Sequence, residues 1–188
     1  MANFTTAYNA TMGHEGAHSD NPKDRGGETW KGVARNFHPS WSGWAIIDAC
    51  KREKSFPANL KTNQALEQMV RMFYKKEFWN RLSLENIQDQ SIANEMFDTA
   101  VNCGPAVAGQ FLQRALNVLN RTGRDYPNLV VDGQIGPKTV TVLNVHRSPA
   151  DVLKVLNILQ GNRYIEICEA RETQETFTSG WLKRVSLT

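Results

Sequence analysis

The 188-residue chain has three cysteines, Cys50, Cys103 and Cys168, far apart and in no C-x-x-C arrangement. A disulfide framework and a cysteine zinc knuckle are therefore not expected, and free, buried or half-buried thiols are. No stretch approaches 18 consecutive apolar residues, which excludes an ordinary transmembrane helix and argues against stable membrane insertion. Basic residues are scattered, so the formal charge of +3 does not point to a nucleic-acid partner. Mild basicity suits weak attraction to an anionic polymer, a cell wall or a nucleic acid, and identifies neither. The N-terminal residues Met1 to Tyr8 lack the basic and apolar regions of a signal peptide. There is no internal repeat and no low-complexity tract.

What is present is helical periodicity. With 40% hydrophobic and 22% charged residues, the chain can bury a substantial core. Asn3 is placed to cap a helix with Phe4, Tyr8 and Met12 on one stripe, which Glu15 extends. Ser42 is expected to cap a short helix through Ile46, Ile47 and Cys50, and Asn63 a firm one through Leu66, Val70, Phe73 and Tyr74 that ends at Trp79. Ser91 is expected to begin the next, which stops at Gly104. Pro105, Pro137 and Pro149 stand at first-turn positions of three more, the last with Gly161 as a weak point, and Thr178 or Ser179 is expected to cap a final short helix. Asp132-Gly133 reads as a tight turn. The expectation is a mainly α fold of about eight helices, with a small β-hairpin or loop near residues 17–35.

That exceptional segment, His14 to Val33, carries the chemistry, and two readings compete for Glu15. His14-Glu15-Gly16-Ala17-His18 spells H-E-x-x-H, with His38 as a possible third ligand of a zinc peptidase or amidase. Both histidines must then share one helix face, yet Gly16 costs about 1 kcal/mol of helix propensity relative to Ala. Ser19-Asp20-Asn21-Pro22 also stops a helix at once. The other reading uses Glu15-x8-Asp24-x4-Thr29. Glycoside cleavage needs a protonated carboxyl on the leaving oxygen and a second acid to stabilise an oxocarbenium-like state or orient water. A Glu at the end of a buried helical stripe is partly desolvated, which favours the protonated form; an ordinary surface Glu fits the pattern as well. Trp30, Trp41 and Trp44 suit a sugar-binding groove or a hydrophobic wall of the core equally.

Glu15-Gly16, Ser19 through Thr29 and Lys31-Gly32-Val33 resemble the signature of the family 108 glycoside hydrolases, lysozyme-like N-acetylmuramidases of phages and bacteria. Phe97-Asp98-Thr99-Ala100-Val101-Asn102, with Gly104, Ala108 and Leu112-Gln113, is similar to a second block of that family. Val131 to Thr139, on through Trp181 to Val185, is similar to its C-terminal peptidoglycan-binding-type region. Ala17 and His18 depart from the pattern, which often has a glycine and an aromatic there.

The resemblance implies a lysozyme-like α fold and cleavage of the β-1,4 bond between N-acetylmuramic acid and N-acetylglucosamine, with no cofactor and no metal. It implies Glu15 as the catalytic acid with Asp24 and Thr29 facing it; His14 and His18 stand beside that acid, where their charge could tune it. Gly27, Glu28, Trp30, Tyr74, Trp79 and Asn102 are the candidates for contacting substrate. A catalytic region over residues 1–102 and a helical wall-binding region over 103–188 are expected to pack into one globule. The partner is then bacterial peptidoglycan and the protein a monomeric endolysin. It would be held in the host cytoplasm after synthesis and act on the wall once a separate phage protein releases it. A noncatalytic wall-binding module is the remaining alternative.

Overall fold

The computed structural model describes residues 1–12, 18–21 and 24–185. Among them are eight α-helices and one two-stranded antiparallel sheet, as the periodicity predicts. The chain divides into two compact units, residues 1–10 with 77–188 and residues 11–76.

In the larger unit, α1 (Phe4–Met12) starts where Asn3 Oδ1 accepts the Thr6 amide at 3.1 Å. The Phe4 ring then packs against Tyr8, Trp79 and Phe97 with centroids 5.6 to 5.8 Å apart. α4 (Gln90–Cys103), α5 (Pro105–Val118) and α7 (Pro149–Ala170) pack on one another to form the core. Ile92, Met96, Phe97, Leu112, Leu116 and Leu156 are among the side chains they bury, each removing enough apolar surface from water to stabilise the fold by roughly 1.5–3 kcal/mol.

Two expectations change here. α4 begins at Gln90, one residue before Ser91, because the Asp89 carboxylate accepts the Ile92 amide at 3.0 Å and caps the helix. α7 runs unbroken through Gly161, which lies against Val185; a single glycine costs only about 1 kcal/mol, and buried partners such as Leu156 and Tyr164 outweigh it. α6 (Pro137–Asn144) and α8 (Thr178–Leu182) complete the unit, α8 without a side-chain cap. Trp181 of α8 stacks on Tyr164 of α7 at 5.3 Å.

In the smaller unit, α2 (Gly43–Cys50) and α3 (Gln64–Tyr74) support the sheet-bearing segment. Asn63 caps α3, its side-chain oxygen accepting the Leu66 amide at 3.0 Å, while Ser42 precedes α2 without a side-chain cap bond. Strands β1 (Thr29–Trp30) and β2 (Val33–Ala34) pair with Thr29 opposite Ala34 and Trp30 opposite Val33. Lys31 and Gly32, with φ of 44° and 79°, form the two-residue turn between them, whose positive φ values match the twist of the strands. The Tyr74 hydroxyl donates to the Lys31 carbonyl at 2.9 Å, and Lys31 Nζ reaches Glu67 at 2.6 Å, so α3 holds the turn from both ends of one residue.

Candidate active site

The segment that carries the candidate acids is shaped first by its own backbone. Asp24 is exposed, and its Oδ1 accepts the Gly26 amide at 2.8 Å while its carbonyl accepts the Gly27 amide at 3.0 Å. This Asx-type turn satisfies the local donors and stiffens the loop. Gly27 has φ +65°, and a Cβ there would come within 2.8 Å of Asn36 Nδ2, so only glycine fits. Thr29 Oγ1 donates to the Gly27 carbonyl at 3.2 Å. Asp24 and Thr29 are thus joined through one residue, each contacting Gly27.

Strand alternation then sorts the next three side chains. Thr29 is half-buried, whereas its neighbours Glu28 and Trp30 are buried, 6% and 2% exposed. Thr29 is further tied to Ser19: the Ser19 amide donates to the Thr29 carbonyl at 2.9 Å and the Thr29 amide to the Ser19 carbonyl at 2.7 Å.

The Glu28 carboxylate is ringed by bases. His18 Nε2 lies at 2.7 Å, Lys51 Nζ at 2.8 Å and Arg35 Nε at 3.2 Å. Burial works against its charge, but the Lys51 and His18 hydrogen bonds and the nearby Arg35 outweigh it and hold the carboxyl below its ordinary range.

The remaining candidates fall elsewhere. Trp30 and Trp79, 2% and 1% exposed, serve as core walls, and neither offers an open ring face for a sugar. Tyr74 is buried with its hydroxyl on the Lys31 carbonyl. Asn102 is exposed at the end of α4, donating to the Asp98 carbonyl at 2.8 Å. The aromatics nearest the hairpin in sequence form a cluster: Trp41 meets Trp44 at 5.1 Å, and the Arg35 guanidinium lies 4.5 Å from the Trp44 ring. His14 and Glu15 lie outside the described residues.

Of the other histidines in the zinc reading, His18 is not in a helix and is engaged by Glu28, and His38 packs edge-on against Phe73 at 4.7 Å. Among the described residues no cluster of three or more His, Cys, Asp or Glu could hold a metal. Arg35, Asp48 and Lys51 are polar residues that sequence reasoning missed. They stand 7, 20 and 23 positions from Glu28, at no motif spacing: the hairpin places Arg35, whose amide donates to the Glu28 carbonyl at 2.8 Å, and the packing of α2 brings Lys51 to Glu28 and Asp48 to Arg35.

The chain is mainly helical with one small hairpin, consistent with a lysozyme-like fold. Residues 8–104 match the family model described as glycosyl hydrolase 108, and residues 107–186 match one described as "Predicted Peptidoglycan domain". The chain belongs to the glycosyl hydrolase 108 family and is an N-acetylmuramidase that hydrolyses peptidoglycan. Neither the zinc peptidase nor the noncatalytic module is favoured. Among solved structures it is similar to Brucella abortus SagA, 23% identical over 97% of this chain and 88% of that one, with a TM-score of 0.59, a likeness of fold. No curated protein sequence matches. No helix among the described residues is long and apolar enough to cross a membrane.

Proposed function

We propose that this muramidase is an endolysin that cleaves the β-1,4 bond between N-acetylmuramic acid and N-acetylglucosamine, with Glu15, Asp24 and Thr29 as its catalytic residues. The observation that carries the assignment is the pairing of the Glu15-x8-Asp24-x4-Thr29 spacing with the Asp24–Gly27–Thr29 hydrogen bonds, which hold two of the three in one stiff loop.

In this reading Glu15 protonates the bridging oxygen and the bond from that oxygen to the muramic acid C1 breaks. Asp24 stabilises the positive charge that develops at C1. Water adds at C1 and passes its proton to Asp24. Thr29, whose hydroxyl proton is committed to the Gly27 carbonyl, offers its oxygen lone pairs to orient that water. Residues 103–188 supply wall binding as a helical region, and the working species is a monomer. Accumulation in the host cytoplasm with release by a separate phage protein completes the endolysin cycle.

Digestion of purified peptidoglycan tests the assignment. Wild type should release reducing ends ending in muramic acid, unaffected by EDTA, and Glu15→Gln should release almost none while melting as wild type does. Free amines that disappear with chelator, or substantial activity in Glu15→Gln, would overturn it.

A further inference from the structure

Glu28 stands beside Thr29, yet its environment is that of an anchor. Its Oε1 meets His18 Nε2 at 2.7 Å and Lys51 Nζ at 2.8 Å; its Oε2 meets Lys51 Nζ at 2.9 Å and Arg35 Nε at 3.2 Å. Hydrogen bonds from His18 and Lys51 and the Lys51 and Arg35 charges engage both carboxylate oxygens. The bases are held in turn. Arg35 donates to Asp48 at 2.7 Å, and Lys51 lies 3.6 Å from the same carboxylate. The His18 ring packs edge-on to Phe56 at 4.9 Å and is 9% exposed.

The position of His18 in the chain gives this network a function. It follows Glu15 by three residues and immediately precedes Ser19, whose backbone exchanges two hydrogen bonds with Thr29. Two consecutive residues, His18 and Ser19, are therefore fastened to Glu28 and Thr29, the first by side chains and the second by backbone.

The geometry points to Glu28 and His18 as positioning residues of the muramidase: their bond fixes His18, three residues after Glu15, to the residue that precedes β1. The inference rests on the assignment of Glu15 and Thr29 above. A catalytic acid displaced by about 1 Å can lose on the order of a hundredfold in rate while substrate binding persists. The tie should accordingly appear in kcat and leave KM alone.

The test compares His18→Ala, His18→Gln and Glu28→Gln with wild type on soluble peptidoglycan fragments, with a thermal melt of each sample. His18→Ala is expected to lose about tenfold or more in kcat with KM within about twofold. His18→Gln keeps an Nε2 donor for Glu28 and is expected to recover most of the loss, which a general packing defect would not allow. Glu28→Gln keeps an oxygen that His18 can donate to and should lose less kcat than His18→Ala, and adding His18→Ala to it should bring the rate down to about that of His18→Ala alone. Should Glu28→Gln fail to fold, the two His18 variants decide alone.

Full kcat in His18→Ala overturns the inference, as does a loss in His18→Gln as deep as in His18→Ala, or a loss confined to KM. Glu15→Gln runs alongside. If it is inactive while His18→Ala keeps full kcat, only the positioning role fails; if Glu15→Gln is itself active, the catalytic assignment has failed.

Discussion

Arg184 Nη1 donates to the Asp98 carboxylate at 2.7 Å, joining residues 86 positions apart in sequence. Gln160 Nε2 donates to the other oxygen of Asp98 at 2.9 Å, so α4, α7 and the chain beyond α8 meet on one carboxylate. The pair is largely shielded, with Asp98 14% and Arg184 25% exposed. Removing one partner leaves a charge that neither water nor protein fully satisfies. Arg184→Ala should lower stability by about 1–3 kcal/mol, read as a fall in denaturation midpoint at unchanged m-value. An unchanged midpoint would show that the pair contributes nothing.

One turn earlier on α4, Glu95 is buried with no ion-pair partner among the described residues, and its pKa is raised to about 7. Burial is the main cause, the Asp98 charge adds to it, and the Thr99 hydrogen bond partly offsets it. Between the ordinary value of 4.5 and about 7 the folded protein keeps a proton that the unfolded chain has lost, so this group makes stability fall as pH rises through that window. The penalty is complete above about 7 and absent below 4.5. Glu95→Gln, which carries no charge, should melt like wild type at pH 4 and gain up to about 3 kcal/mol over it at pH 8. Melting curves at the two pH values check the sign; a difference that stays constant with pH would refute it.

Gly27 lies between Asp24 and Thr29 with φ +65° and no space for a Cβ beside Asn36. Gly27→Ala should cost about 1–3 kcal/mol through backbone strain and displacement of Asn36. Activity should fall more steeply than stability, since both Asp24 and Thr29 take their geometry from this residue. Gly27→Ala in an Asn36→Ala background should recover part of the stability but not the part due to φ. Calorimetry of the two proteins separates the contributions.

Asp24→Asn retains an oxygen to accept the Gly26 amide while removing the negative charge. Its melting temperature should stay near wild type while the rate of reducing-end release drops by about 10²-fold or more. Thr29→Val removes the hydroxyl and keeps the branched shape; Thr29→Ser restores the hydroxyl. The expected order of rates is wild type, then Ser, then Val, and a Val variant as fast as Ser would exclude a role for the oxygen.

Much of the helical framework is legible locally. Asn63 caps α3, and Pro105, Pro137 and Pro149 open α5, α6 and α7, because capping and first-turn preferences act over three or four residues. Where two caps compete over a few residues, as Asp89 and Ser91 do, the pattern cannot rank them. The three cysteines are free thiols, Cys50 buried and the others half-buried, as their spacing suggests. The aromatic signals near the hairpin were ambiguous for a physical reason: a tryptophan suits a sugar groove and a core wall alike, and only burial separates the two.

The sequence by itself determined which segments are helical and placed Glu15, Asp24 and Thr29 in a turn-rich stretch that resembles a family signature. These are short-range properties of neighbouring residues. Tertiary structure alone decided that Thr29 stays half-buried while Glu28 and Trp30 are buried, that Glu28 answers to Lys51 across 23 positions, and that Glu95 is desolvated beside the Asp98 charge. The charge state and task of a carboxylate depend on its desolvation and on the bases within a few ångströms, and packing supplies both from distant parts of the chain.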